Sequence, residues 1–290
     1  MAGYRVLLLL STTLMGMTAA YKHVVFMHGV LAGIEEFTPF VKQLKIDHPG
    51  TNVTLIKAYS NLHSLKPLWS QVGTIKAQLT AVMNSNPAGI HLVCFSQGGL
   101  ICRGLLSVLR HNVDTFIALS CPLAGQYGCE YIYMSYMKKR FPKYVTKHLY
   151  KVLYTKAGQD ISLGNFWMDP HHLTQYRKYS QFLAVINNDT DKGQSHTYKQ
   201  NFSHLKKLVL IGGPDDGVIT PWQTGHFGMF NSSEAVLPME DQRWYKEDSF
   251  GLRTLNVRKA IKMLTFSGVH HTKWHVNMTI YENGIKPFLT

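Results

Sequence analysis

An α/β fold, built on a mostly parallel sheet with helices on both faces, is what this sequence predicts. Three observations carry the prediction. Short apolar runs bounded by turn residues recur along the chain, longer stretches with three- and four-residue apolar spacing lie between several of them, and one run leads through Ser96 and two glycines straight into a helical stretch. The candidate strands are His23 to Met27, Val53 to Lys57, Ile90 to Phe95, Thr115 to Leu119, Lys207 to Ile211 and Ile261 to Phe266. Candidate helices span Leu65 to Met83, Gln97 to Arg110 and a closing segment from Trp274 to Phe288.

The chain has 290 residues, 45% of them hydrophobic, enough to bury one large core, and shows no disordered, collagen-like or coiled-coil bias. One domain over residues 21–290 is expected. Residues 1–20 read as a secretory signal: Arg5 supplies the positive n-region, Val6 to Met17 is mostly apolar, and Thr18-Ala19-Ala20 offers small residues for cleavage. That apolar run falls short of the roughly 20 residues a membrane-spanning helix needs. Asn-x-Ser/Thr sequons at Asn52, Asn188, Asn201, Asn231 and Asn277 agree with passage through the secretory lumen. There the four cysteines can pair, Cys94 with Cys102 and Cys121 with Cys129.

A net charge of +13 raises the question of nucleic acid, but only Lys138-Lys139-Arg140 is clustered, and no zinc-finger, RRM or helix-turn-helix pattern accompanies it. A nucleic-acid partner is therefore not expected. A solvated basic surface explains the charge; transient attraction to an anionic membrane surface or to the phosphates of an acyl carrier would strengthen as the fifteen histidines protonate. His171 and His172 lack the spaced Cys, His or Asp set of a metal site, and no cofactor is called for.

Between Cys121 and His204 the strand–helix alternation breaks, over a stretch too long to be one structureless loop. It reads as an inserted helical lid over residues 122–204. Tyr131, Met134, Met137, Phe141, Tyr144, Val145, Leu149 and Val152 fall at near-helical spacing, as amphipathic helices packing on the sheet edge or lining an acyl groove would.

The chemistry-bearing motifs lie at strand ends. Ile90 to Phe95 runs into Ser96-Gln97-Gly98-Gly99, a nucleophile elbow of the α/β-hydrolase type. The turn is tight, so the positions two before and two after the serine must be small: Gly98 fits, and Cys94 replaces the usual glycine. A serine hydroxyl needs a base, and the base needs an acid to fix its tautomer. After Leu208 to Ile211 comes Gly213-Pro214-Asp215-Asp216-Gly217; the spacing of Asp216 from Gly213 and Ile219 favours it as the acid and leaves Asp215 to brace the turn. Beyond the last strand, Gly268-Val269-His270-His271 offers His271 as the base, with His270 and His275 as alternatives. The backbone N–H groups of Val30, after Gly29, and of Gln97 are the expected oxyanion donors. His28 is expected to pack beneath that loop.

The stretches HLVCFSQGGLICRGLLSV, LVLIGGPDDGVITPWQ, DSFGLRTL and HHTKWH resemble the palmitoyl-protein thioesterases, and most closely their second, lysosomal branch, from His23 to the C-terminus. The resemblance implies an α/β-hydrolase fold and lysosomal hydrolysis of long-chain acyl thioesters, of acyl-CoA type in preference to bulky palmitoylated proteins. It implies triad roles for Ser96, Asp216 and His271 and a disulfide between Cys94 and Cys102. The family's cysteines within the lid are missing here, and Cys121 and Cys129 stand near the lid's start as a replacement bridge. Two other readings fit the same motifs: an oxygen-ester lipase or esterase, and a secreted lipid-binding protein that has lost turnover. An extracellular destination is the alternative to the lysosome.

Overall fold

The computed structural model describes residues 21–128, 146–190 and 195–290. Its centre is a six-stranded, wholly parallel sheet of β1 (His23–Met27), β2 (Val53–Ile56), β3 (Ile90–Phe95), β4 (Val113–Leu119), β5 (Lys207–Gly212) and β8 (Ile261–Thr265), in the order β2-β1-β3-β4-β5-β8. These are the six strands read from the apolar runs. A two-stranded antiparallel hairpin, β6 (Met229–Phe230) with β7 (Val236–Leu237), lies apart from it.

Alternate residues of each strand face opposite layers, as the two-residue period of a strand dictates. Val24, Phe26, Val93, Phe95, Ile117, Leu119, Val209 and Ile211 pack against Phe37, Phe40, Leu44, Trp274, Ile280 and Tyr281. Val25, Met27, Leu92, Cys94, Phe116, Ala118, Leu208 and Leu210 pack against helices α2 (Leu68–Ser85) and α3 (Gln97–Val108) and the base of the lid. Both faces of the central strands are therefore dry, while the edge strands β2 and β8 are partly exposed, and each fully buried aliphatic or aromatic side chain adds about 1.5–3 kcal/mol.

The order of strands reverses between β1 and β3: from β1 the chain steps outward to β2, and from β3 it steps the other way through β4 and β5 to β8. The loops leaving the C-terminal ends of β1 and β3 meet at this switch point, the place where open α/β sheets bind ligands.

Helix α2 starts at Leu68, three residues later than predicted, because Pro67 disfavours helical geometry at Lys66, which is extended at φ −63°, ψ 156°. A helix at Thr38–Asp47, α1, was not anticipated; Pro39 in its first turn and the buried pair Phe40 and Leu44 were its signals. The continuous closing helix expected from Trp274 to Phe288 is broken into a short α-turn at Met278–Ile280, a wide turn at Tyr281–Ile285 and a tight turn at Lys286–Phe288. Gly284 and Pro287 interrupt it, and the space of the absent Gly284 side chain is taken by Ile211, whose Cδ1 would lie 2.9 Å from a β-carbon there.

Within the lid, the described residues form short helices at 150–153, 156–159, 162–165, 173–179, 183–186 and 196–202. Leu149 packs on the core, but Val152 is 59% exposed. Tyr131, Met134, Met137, Phe141, Tyr144 and Val145 lie outside the described residues. Arg103 of α3 fastens this segment: fully buried, it donates to the carbonyls of Leu123 and Ile186 and to Asn187 Oδ1, with its guanidinium 4.1 Å from the Phe250 ring centroid. No helix among the described residues is long and apolar enough to cross a membrane.

Cys94 and Cys102 are bonded, tying the end of β3 to α3. Cys121 is a free buried thiol that donates to the Cys94 carbonyl at 3.2 Å, so the bridge expected with Cys129, itself outside the described residues, is not its state. Its sulfur fills the space left by the missing side chain of Gly99, which explains why a small, unbranched residue is held there.

Among the sequons, Asn52 is exposed and Asn231 and Asn277 are half-buried. Asn188 departs from expectation. It is 4% exposed, and its Nδ2, the atom a glycan would need, donates to the carbonyls of Ser195 at 3.1 Å and Ser249 at 2.6 Å. Asn201 Nδ2 is likewise engaged, by Ser107 O at 2.9 Å.

Candidate active site

Five loops at the C-terminal edge of the sheet converge, one each from β1, β3, β4, β5 and β8. Ser96 follows β3 directly and sits at φ 52°, ψ −127°, a conformation that L-residues rarely adopt and that turns its side chain out of the strand before α3 begins. The tightness anticipated from sequence is visible at Gly98: a β-carbon there would come within 2.5 Å of His28 O and 2.6 Å of Met27 O. A side chain on Gly29 would meet Ser96 Cβ at 3.1 Å. The β1 loop and the start of α3 are thus pressed together around the serine.

His271 Nε2 lies 2.9 Å from Ser96 Oγ, and its Nδ1 lies 2.8 Å from Asp216 Oδ2. The imidazole rests on Phe95, with ring centroids 4.9 Å apart. His270 is exposed, and His275 packs on Phe95 at 4.8 Å, so neither alternative base has the place held by His271. Burial, followed by the charges of His271 and Lys273, pushes His275 down to about 4, leaving it a neutral packing group.

Asp216 is 2% exposed and would be costly to ionise in isolation. Burial alone would raise its pKa; the hydrogen bond and charge of His271, the Ile219 N–H and the Ser120 hydroxyl outweigh burial and hold it below the usual carboxylate range. Oδ1 accepts the N–H groups of Val218 at 3.0 Å and Ile219 at 2.7 Å, while Oδ2 accepts Ser120 Oγ at 2.5 Å and Trp274 Nε1 at 2.7 Å. Asp215 Oδ2 accepts the Gly268 N–H at 2.7 Å, and the Asp216 carbonyl accepts the His271 N–H at 2.9 Å. The acid turn therefore grips the histidine loop twice, once through the Asp215 carboxylate and once through the Asp216 carbonyl, so Asp215 ties the two loops together where it was expected to brace its own turn.

Sequence reasoning missed Ser120 and Trp274 as partners of the acid. Ser120 was detectable as the polar residue ending the β4 run, and Trp274 lies within HHTKWH, but only the three-dimensional turn brings either to Asp216.

Among the described residues neither Val30 N–H nor Gln97 N–H has an acceptor. Gln97 opens α3, where the first N–H groups have no partner within the helix and the helix dipole is positive. His28 lies beneath this loop, with Nδ1 2.9 Å from Gly29 O and Nε2 3.2 Å from Ala58 O. It does not reach the serine.

Glu36, half-buried in the segment after this loop, lies 4.0 Å from His275 Nε2. Burial raises its carboxyl to about 7, partly offset by the Gly29 N–H and reinforced by Glu35. Between the ordinary glutamate value near 4.3 and about 7, the folded chain binds more protons here than the unfolded chain does, so this group favours folding at acid pH and opposes it above neutrality. The variant Glu36→Gln is expected to melt about 2–5 °C higher than wild type at pH 8 and at the same temperature at pH 4. Equal melting at both pH values would contradict this reading.

A strained serine on a strand–helix turn, an imidazole on its hydroxyl and a buried carboxylate behind the ring, all at the edge of a parallel sheet, are the architecture of an α/β-hydrolase. Solved structures agree on the fold: the mature lipase BlEst2 of Bacillus licheniformis superposes with a TM-score of 0.53 at 14% identity over 94% of both chains. In sequence, residues 23–271 match the family described as palmitoyl protein thioesterase. The chain belongs to that family. It is 45% identical over 273 residues to the human lysosomal thioesterase PPT2, spanning 94% of this chain and 89% of that protein. It is 44% identical over 292 residues to the Xenopus laevis lysosomal thioesterase PPT2-B, spanning the whole of both. A Drosophila melanogaster PPT2 homolog shares 38% over 282 residues, spanning 97% of this chain and 96% of that protein.

Proposed function

We propose that this chain hydrolyses long-chain fatty-acyl thioesters, of acyl-CoA or S-acylated type, with Ser96 as nucleophile, His271 as general base and Asp216 as its orienting acid. The observation carrying the proposal is the unbroken hydrogen-bond chain from Ser96 Oγ through His271 to Asp216, set in a family member 45% identical to a lysosomal thioesterase.

His271 Nε2 takes the Ser96 proton as Oγ bonds to the thioester carbonyl carbon. The carbonyl electrons move onto oxygen, which the Val30 and Gln97 N–H groups receive. The tetrahedral adduct collapses with rupture of the carbon–sulfur bond. A thiol has a pKa of about 8.5, so sulfur departs with little help from an acid and takes up the imidazolium proton. Water then gives a proton to His271, attacks the acyl-enzyme and releases the fatty acid, and the proton returns to Ser96. Asp216 stays ionised throughout, pairing with the imidazolium.

Residues 1–20 serve as the signal peptide, and residues 21–290 form one hydrolase domain with its lid at 122–204. Asn52, Asn231 and Asn277 are the sequons whose positions suit glycans. The names of the relatives support delivery to the lysosome, and the basic surface supports transient contact with anionic membranes there.

The test is a hydrolysis profile of protein lacking residues 1–20 against a graded acyl-CoA series, with oxygen esters of matched chain length beside it, at acidic pH. Turnover should rise into the long-chain range and be faster for each thioester than for its oxygen analogue. Faster oxyester cleavage would make the protein a lipase or esterase, and no turnover with either, together with no labelling by a fluorophosphonate, would make it a lipid-binding protein.

A further inference from the structure

We infer that Ser64 is the positioning residue of the oxyanion hole, joining the two segments that carry its N–H donors; the inference rests on the catalytic reading above. Ser64 lies in a tight turn at Asn61–Leu65 that belongs to none of the motifs around the triad, and it is 1% exposed. Its hydroxyl accepts the Leu31 N–H at 2.7 Å and donates to Asn61 O at 2.5 Å. Its carbonyl accepts Gln97 Nε2 at 2.8 Å and Gln71 Nε2 at 2.8 Å.

One residue thus binds the peptide next to Val30 on one side and the side chain of Gln97 on the other. Those are the two residues whose backbone N–H groups face the developing oxyanion. The loop it holds needs an external tie. Leu31 is at φ 57°, which an L-residue keeps only where its surroundings impose it, and the turn carrying Ser64 is itself fixed to the loop by Asn61 N–H on Ala32 O at 2.8 Å. Gln71, in the first turn of α2, anchors the arrangement from behind by bonding both Ser64 O and Lys66 O.

A hole held in shape by Ser64 is used only when negative charge reaches the carbonyl oxygen. Loosening it therefore costs transition-state stabilisation and leaves ground-state binding of the acyl chain unchanged.

The experiment compares wild type with Ser64→Ala, counting folded sites by end-point titration with a fluorophosphonate. The kcat per titrated site for palmitoyl-CoA should fall about 10- to 100-fold, less than for deletion of a donor itself, with KM little changed. Affinity for a palmityl trifluoromethyl ketone, whose serine adduct carries an oxyanion, should weaken in parallel, while inhibition by palmitate and the acid limb of the pH profile stay as in wild type. Ser64→Cys, which keeps the shape but offers a weaker acceptor, should fall between the two and serves if the alanine variant does not fold. An unchanged kcat per site in either variant would overturn the inference, as would a loss in which palmitate binding weakens and ketone binding does not. Turnover surviving in Ser96→Ala would instead strike the catalytic reading beneath it.

Discussion

Replacing Ser96 with alanine is expected to lower kcat for palmitoyl-CoA by about 10⁵- to 10⁶-fold, the scale on which a serine hydrolase depends on its nucleophile. The fold should survive. Ser96 is 5% exposed, its main chain is held by its own N–H on Leu119 O at 3.0 Å, and among the described residues its hydroxyl bonds His271 alone, so alanine removes one hydroxyl and opens no cavity. The loss should therefore appear in kcat with the melting temperature nearly constant. A variant that melts like wild type and still turns over the substrate at a comparable rate would remove Ser96 from the mechanism.

Asp216→Asn carries the second-largest effect and differs in kind, since it should damage both rate and stability. The two carboxylate oxygens have divided partners: Oδ1 faces the N–H groups of Val218 and Ile219, and Oδ2 faces Ser120, Trp274 and His271 Nδ1. An asparagine that keeps its carbonyl on the main-chain donors must aim its NH₂ at the Trp274 N–H, donor against donor. It also invites the imidazole to present Nδ1 as acceptor, which puts the proton on Nε2 and leaves Ser96 without a base. A fall in kcat of about 10³- to 10⁴-fold is expected, with about 1–3 kcal/mol of stability lost to the unpaired buried donor. Denaturant titration beside steady-state kinetics separates the two losses. The wild-type carboxylate also sets a pH dependence: its pKa is depressed, so its contribution to stability is present above the ordinary aspartate value near 3.9 and disappears as pH falls through the lower folded value. Asp216 thus stays charged under mildly acidic conditions.

The parts of the fold most legible in the sequence were those fixed by local rules. Six strands were legible as apolar runs because the central strands are buried on both faces, and Ser96, Asp216 and His271 were proposed because each follows such a run at a turn marked by glycine; the structure brings the three within hydrogen-bond reach of one another. What escaped was set by contacts between distant segments. Ser120 and Trp274 reach Asp216 from β4 and from beyond β8, and Ser64 reaches Leu31 and Gln97 from a turn with no motif of its own. The closing helix was overcalled because its apolar spacing outweighed Gly284 and Pro287, and Asn188 satisfied a sequon rule that is blind to burial. The Cys121 thiol illustrates the same limit. An even cysteine count proposes pairings, but the side chain is consumed by the gap over Gly99.

The central claim is that Ser96 carries the acyl group between the two halves of the reaction, and rapid acid quench during turnover of palmitoyl-CoA, followed by mass spectrometry of the digested protein, tests it most directly. One palmitoyl group should be found on the peptide containing Ser96, absent from the Ser96→Ala protein and from the quenched product of a non-hydrolysable analogue. A palmitoyl group on another residue, formed and lost at the rate of turnover while Ser96 stays unmodified, would contradict the account.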